Sequence, residues 1–498
     1  MDNRETNQKL TSRNKDNIKD RVPKMQNEIP FMSTTQVAAA IKSNLITSRQ
    51  VLEILLARCD QYNHQTNAII YLNKTQARAR ADAADLALAN GEDWGILHGV
   101  PCTIKENNDW KDTPNTLGDL KWKNRSSSHN EVMVDRLLSH GAIIYGKTNL
   151  PYHAMDLQSY NEIYGTTSNP WDLTRTPGGS SGGSVVSVAC GFSPFEIGGD
   201  IGGSIRTPAA FTGVYGHKPT FEVIPKRGPN IERVAKEISV RGPFARTAED
   251  LKLIMQCLVG EDGPLSRGYT LKLPEPTKKS LSEYRVAVWS DDVAAPVDDD
   301  LVQACETVAS AFEKAGAFVD RTARPDYNFT MKNFKMYFTL TAAANTLNDE
   351  PAVREVTLKE YRLALEEREE IRASWERFFE QYDVLICPSH STPAFIKDES
   401  EPKTARTLAC QRNGSTVQLP YFQPCWWAFL TNTGLLPSTT FPVGVNSKGL
   451  PLGLNVVSSE YNDYICIDVA RLLAKECGFR FNPPPGYGKE DLKKTSRM

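Results

Sequence analysis

Two glycine–serine runs, PGGSSGGS at 177–184 and GGDIGGS at 198–204, sit in the middle of this 498-residue chain. Such composition ordinarily marks a flexible linker, and a linker here would divide the chain into two independent bodies. The flanking segments argue against that division. Upstream, RQVLEILLARCDQYN places Val51, Ile54, Leu55 and Cys59 at helical spacing behind a Thr47 or Ser48 cap. Residues 75–90 are rich in alanine and predict a second helix, stopped by Gly91. EVMVDRLLSHG followed by AIIYGKT reads as a helix, a glycine stop and a buried strand. Downstream, Thr247 and Asp250 form a T-x-x-D start for LKLIMQCLVG. YRVAVWS (284–290) and YDVLICPS (382–389) carry strand signals, and between them the acids of VDDD open a helix that stops at Gly316. Helices alternating with strands on both sides predict an α/β protein, with the two runs inside one ordered body.

Charge and cysteine usage narrow the partners. A net charge of −2 gives no reason to expect nucleic acid or a membrane surface. The ten cysteines show no C-x-x-C, and Cys257 and Cys387 lie inside apolar runs. They read as small buried hydrophobes in a reducing compartment rather than a disulfide framework or zinc site. The first residues are polar with no apolar h-region, and no stretch approaches the roughly 18 apolar residues of a spanning helix. The expectation is a flexible polar arm over 1–30, a cytoplasmic location and no membrane anchor.

Several chemistries can be set aside by spacing. A phosphate loop needs G-x-x-x-x-G-K-[ST], but Ser184, Val185 and Val186 follow Gly183, with no lysine. The seven histidines form no H-x-x-x-H or H-E-x-x-H pair, so neither a metal nor a cofactor is expected. No G-x-S-x-G elbow occurs to carry a histidine-based serine triad. What remains is a serine hydrolase that works without histidine. Ser204 follows a Gly-Gly pair and precedes IRTPAA, which can open a helix with Pro208 in its first turn. Small glycines let successive N–H groups converge on one point, as an oxyanion hole requires. Lys105, closing the apolar run GVPCTIK, is a candidate base.

Taken in order, GVPCTIKEN, GKTNLPYHAM, YGTTSNPWD, PGGSSGGS, GGDIGGSIRTPAAFTGVYGHKPT, GPFARTAEDL, YDVLICPS, NTGLLPSTTFPVG and GLPLGLNVV resemble the amidase signature family. Asn455 stands where that family usually has Gln. The resemblance runs from about residue 35 to the C-terminus and implies a large, twisted, mixed central β-sheet with helices on both faces. It implies one amidase domain over 31–498, with a signature core at about 95–250. Residue by residue, it implies Ser204 as nucleophile, Ser180 as bridging serine and Lys105 as base. The interval of 24 residues between the two serines matches the family and selects Ser180 over Ser181. Backbone N–H groups of Ile201, Gly202, Gly203 and Ser204 would form the oxyanion hole, with Ser181, Asp200 and Arg206 in support. The Gly179–Ser180 peptide would be cis. A lysine base must be neutral near pH 7, a fall of roughly 3 units from ~10.4, which demands burial or neighbouring donors.

The expected substrate is a small-molecule amide with an apolar acyl or aryl group. Met155 and Asp156 stand at pocket positions of the family, and Trp426 and Trp427 in YFQPCWWAF offer aromatic surface. Two alternatives stay open: a glutaminase like the A subunit of an amidotransferase, working in a complex, and an esterase or acyl-transfer enzyme using the same site. The stretch from Phe221 to Leu251 lacks that subunit's S-L-D-Q-x-G-P form, which favours a stand-alone amidase. A homodimer is also left open.

Overall fold

A computed structural model describes residues 28–225, 237–329, 331–345 and 354–488. In chain order the strands are β1 (Ile69–Leu72), β2 (Pro101–Lys105), β3 (Ile143–Thr148), β4 (Tyr160–Asn161), β5 (Gly165–Thr166), β6 (Phe195–Asp200), β7 (Tyr215–Lys218) and β8 (Val240–Ala245). They continue as β9 (Arg285–Val288), β10 (Phe318–Asp320), β11 (Val384–Pro388), β12 (Thr407–Arg412), β13 (Ser415–Pro420), β14 (Ser438–Val445) and β15 (Pro451–Val457). Among the described residues, eleven of them build one sheet in the order β1-β3-β2-β6-β8-β7-β14-β15-β11-β9-β10. The sheet is mixed: β2 runs parallel to β3 and β6, whereas β8, β7, β14 and β15 continue antiparallel.

Strand alternation divides the side chains between two faces. Ile104, Ile144, Phe195 and Ile197 pack into one apolar cluster. Ile143 and Tyr145 pack on the other face with Val185, Val186 and Val188 of the helix Gly182–Ala189. Between β2 and β3 the pairing passes from Cys102↔Ile144 to Thr103↔Gly146, a bulge that brings Thr148 opposite Lys105.

The local signals largely took effect. Thr47 caps the helix Ser48–Thr66 in a reciprocal box with Gln50. The alanine-rich helix spans Lys74–Ala89, and Gly91 follows its cap at φ +82°. Thr247 caps Ala248–Leu258, but the Asp250 carboxylate does not turn back to it. It accepts instead from the N–H groups of Thr34 and Thr35 at 2.8 and 2.9 Å, capping the helix Thr34–Lys42. Of the expected polar arm, residues 1–27 lie outside the described residues, while Ile29 and Pro30 are buried, so packed chain already begins before residue 31. All ten cysteines are unpaired and nine of them are buried. No helix of the described residues is long and apolar enough to cross a membrane.

Candidate active site

Lys105 ends β2 with its side chain buried, 1% exposed, pointing toward the start of the helix Gly182–Ala189. There its Nζ donates to Ser180 Oγ at 2.6 Å and to Ser181 Oγ at 3.0 Å. The glycines of the first run make this approach sterically feasible. Gly178 adopts φ +91°, and a Cβ on Gly179 would lie 2.6 Å from both the N and the O of Gln158. The Gly179–Ser180 peptide is cis. A linker could not be packed this tightly; the run is part of the site's floor.

Ser204 lies between the end of β6 and the helix Arg206–Thr212, whose third residue is Pro208. The loop in between is braced by a buried ion pair. Arg206 Nη2 meets Asp200 Oδ1 at 2.8 Å and Arg206 Nε meets Oδ2 at 3.1 Å. The same guanidinium donates to Ala428 O, Thr431 Oγ1 and Asn432 Oδ1, tying the loop to the helix Trp426–Thr433. Burial alone would raise the Asp200 carboxyl, but the Arg206 charge and the Ile205 N–H hold it well below the usual carboxylate range. Asp200→Ala would leave the Arg206 cation buried without its counter-charge. It is expected to destabilise the fold by about 3–5 kcal/mol and to lower activity with it. Thermal unfolding checks this, and a midpoint equal to wild type would refute the bracing role.

The brace also corrects one expectation. Gly203 N–H donates to Asp200 Oδ1 at 2.9 Å, so it is committed to the loop rather than free for an oxyanion. The N–H groups of Ile201, Gly202 and Ser204 donate to no acceptor among the described residues.

Lys105, Ser180 and Ser204 line one cavity of about 330 Å³. Of the expected pocket residues, Met155 and Asp156 also border it. Asp156, however, spends its carboxylate internally: Arg406 lies at 3.1 Å, and the hydroxyls of Tyr421 and Tyr160 donate at 2.5 and 3.0 Å. It shapes the wall and is not open to substrate. Trp426 and Trp427 do not reach the cavity. Their indoles pack against each other and Trp289, and their Nε1 groups donate to Phe329 O and Ala295 O. The aromatic surface comes from neighbours instead, Phe422 and Phe429 of the same stretch, and Tyr337 and Phe338 of the helix Met331–Asn345. Tyr337 stacks on Phe429 with centroids 3.5 Å apart.

Two buried ionisable groups escaped the sequence reading. Lys147, within GKTNL, donates to the carbonyls of Glu106, Asn108 and Pro114. It thereby pins the loop after Lys105, which supplies Asn107 and Leu117 to the cavity. Glu196, fully buried on β6, was signalled only as a lone acid in the apolar run SPFEIGG.

The family model described as Amidase matches residues 50–360 and 350–467. Among curated relatives, the A subunit of glutamyl-tRNA(Gln) amidotransferase from a Cyanothece strain is 28% identical over 466 residues, covering 85% of this chain and 93% of its own. Its counterpart from Geobacillus kaustophilus is 28% identical over 494 residues, covering 91% and 98%. Among solved structures, a bacterial aryl acylamidase of the amidase signature family superposes with a TM-score of 0.79 at 22% identity, over 90% of this chain and 97% of its own. A fatty acid amide hydrolase superposes with 0.77 at 22%, over 91% and 86%. These two share the fold: the mixed eleven-stranded sheet with helices around it.

Proposed function

Because the chain belongs to the amidase family, and so is an amide-hydrolysing enzyme, we propose that it cleaves a carboxylic amide through an acyl-enzyme on Ser204, with Ser180 and Lys105 as the proton relay. The observation that carries this reading is the buried Lys105 Nζ at 2.6 Å from Ser180 Oγ, beside the cavity that Ser204 also lines. A neutral Lys105 accepts the Ser180 proton while Ser180 accepts that of Ser204, whose oxygen attacks the carbonyl carbon. The oxygen of the tetrahedral intermediate takes its negative charge against the N–H groups of Ile201, Gly202 and Ser204. The proton returns along the relay to the departing nitrogen, which an amide requires because a bare amide anion is too basic to leave. Water then enters, gives up a proton along the same path and releases the acid.

The cavity wall favours an apolar acyl or aryl amide. Tyr337, Phe338, Phe422 and Phe429, with Leu117 and Leu157, supply a continuous aromatic and aliphatic share of that wall. The curated relatives favour a second reading, a glutaminase that passes ammonia to a partner. One assay separates the two: a series of anilides of increasing acyl length alongside glutamine, with gel filtration of the same preparation. We expect kcat/KM to rise at least tenfold from acetyl to longer acyl or aryl groups, with glutamine turned over poorly. Glutamine as the best substrate of all would overturn the apolar assignment in favour of the second reading.

A further inference from the structure

Glu196 has no part in the relay as described, yet it lies in the same buried layer. In the register of the sheet, Glu196 on β6 pairs with Thr103 on β2, and Lys105, two residues on, pairs with Thr148 on β3. All four therefore face the helix Gly182–Ala189. The carboxyl of Glu196 spans β2 to reach β3, where Thr148 Oγ1 donates to its Oε1 at 2.6 Å. Thr148 Oγ1 in turn lies 3.0 Å from Ser184 Oγ, and Ser187 Oγ lies 2.9 Å from Thr103 Oγ1. A polar seam thus runs under the helix that Ser180 and Ser181 lead into, in a layer otherwise packed with valines. The second carboxyl oxygen, Oε2, is buried with no hydrogen-bond partner among the described residues.

Burying a carboxyl in such a layer is costly, and here only one of its two oxygens is hydrogen-bonded. We propose that Glu196 is a positioning residue that governs the protonation of Lys105 across β2, a role that rests on Lys105 being the base of the relay. The groups around it are few. Besides Lys105, β2 contributes Cys102 and β3 contributes Tyr145, both kept neutral because burial pushes them well above their ordinary values. The helix contributes the hydroxyls of Ser184 and Ser187, and β8 places Phe244 opposite. Lys105 is the amine among them. Burial drives the Glu196 carboxyl up to about 8, with the hydroxyls of Thr148 and Ser184 and the Lys105 charge pulling the other way. The protonation of each group therefore bears on that of the other across the shared layer. When the carboxyl is ionised, it stabilises the ammonium and holds the base in its inactive form. When the carboxyl takes the proton, Lys105 is left neutral and able to accept one from Ser180.

The sign of the effect follows. Removing the ionisable carboxyl removes the anion that favours Lys105 as ammonium, so the neutral base persists to lower pH. The test is the second-order rate of labelling by a fluorophosphonate from pH 5 to 10, in wild type, Lys105→Ala, Glu196→Gln and Thr148→Val. Gln keeps the shape of the side chain and can still accept from Thr148. We expect the acid limb in Glu196→Gln to move down by about one unit. Thr148→Val, which removes the donor favouring the ionised carboxyl, should move it the same way by less and serves if Glu196→Gln does not fold. An acid limb that stays within about 0.3 unit of wild type in the folded variants, or moves up, overturns the role of Glu196 while leaving the relay intact. If Lys105→Ala labels as fast as wild type with the same limb, the relay reading itself fails, and the role of Glu196 fails with it. Melting temperature and gel filtration identify which variants are folded.

Discussion

Ser204→Ala is expected to reduce amide hydrolysis to the level of the buffer control, a loss of roughly 10⁴-fold or more. The protein should still fold, because the change removes one hydroxyl at a cavity wall and leaves the Asp200–Arg206 brace in place. Initial rates on the best substrate of the anilide series, with the melting temperature measured in parallel, check this. Retention of a tenth of wild-type kcat in a folded variant would mean that another oxygen makes the attack.

The second large effect is at Lys105. On the proposed relay, Lys105→Ala leaves the two serines without a proton acceptor; it also removes the Nζ that donates to both and opens a small hole at the end of β2. Loss of a general base costs about 10²–10⁴-fold, and here the upper part of that range is expected because the same group also protonates the leaving nitrogen. The loss should be smaller on an ester with a good leaving group, which departs without a proton. Comparing an anilide with the matching nitrophenyl ester in both proteins makes the distinction. An equal loss on both substrates would point to a collapsed site rather than a missing acid–base group. In wild type, activity should rise with pH on a limb absent from Lys105→Ala, since only the neutral amine can accept a proton.

Much of this site could be read from the chain because its parts are short and contiguous. A glycine-rich serine run, a glycine-flanked serine and a lysine closing a strand each leave a local mark, and their fixed order carries the family resemblance that implied the cis Gly179–Ser180 peptide. Helix ends were equally legible wherever a cap is local, as at Thr47, Asn90–Gly91 and Gly316. What failed was everything set by orientation across elements. Phe422, Cys425 and Phe429 follow each other at intervals of three and four and share the cavity side, while Trp426 and Trp427 fall on the opposite side and fill the core. The stretch was correctly singled out, but its rotation cannot be read without the helix it packs on. Gly203 was lost to the oxyanion hole by a side chain three residues back, Asp200, whose aim depends on Arg206. Asp250 chose a helix more than two hundred residues away over its own. Glu196 became visible only once the β2–β3 bulge had brought Thr148 onto the face of Lys105.

The two glycine–serine runs line one cavity, and the proposed function gives the relay serine to one and the nucleophile to the other. That division of labour is tested most directly by digestion and mass spectrometry of the fluorophosphonate-treated protein. The account predicts a single phosphonylated peptide, containing Ser204 and absent from Ser204→Ala. An adduct on Ser180, or on any residue outside the second run, would contradict it.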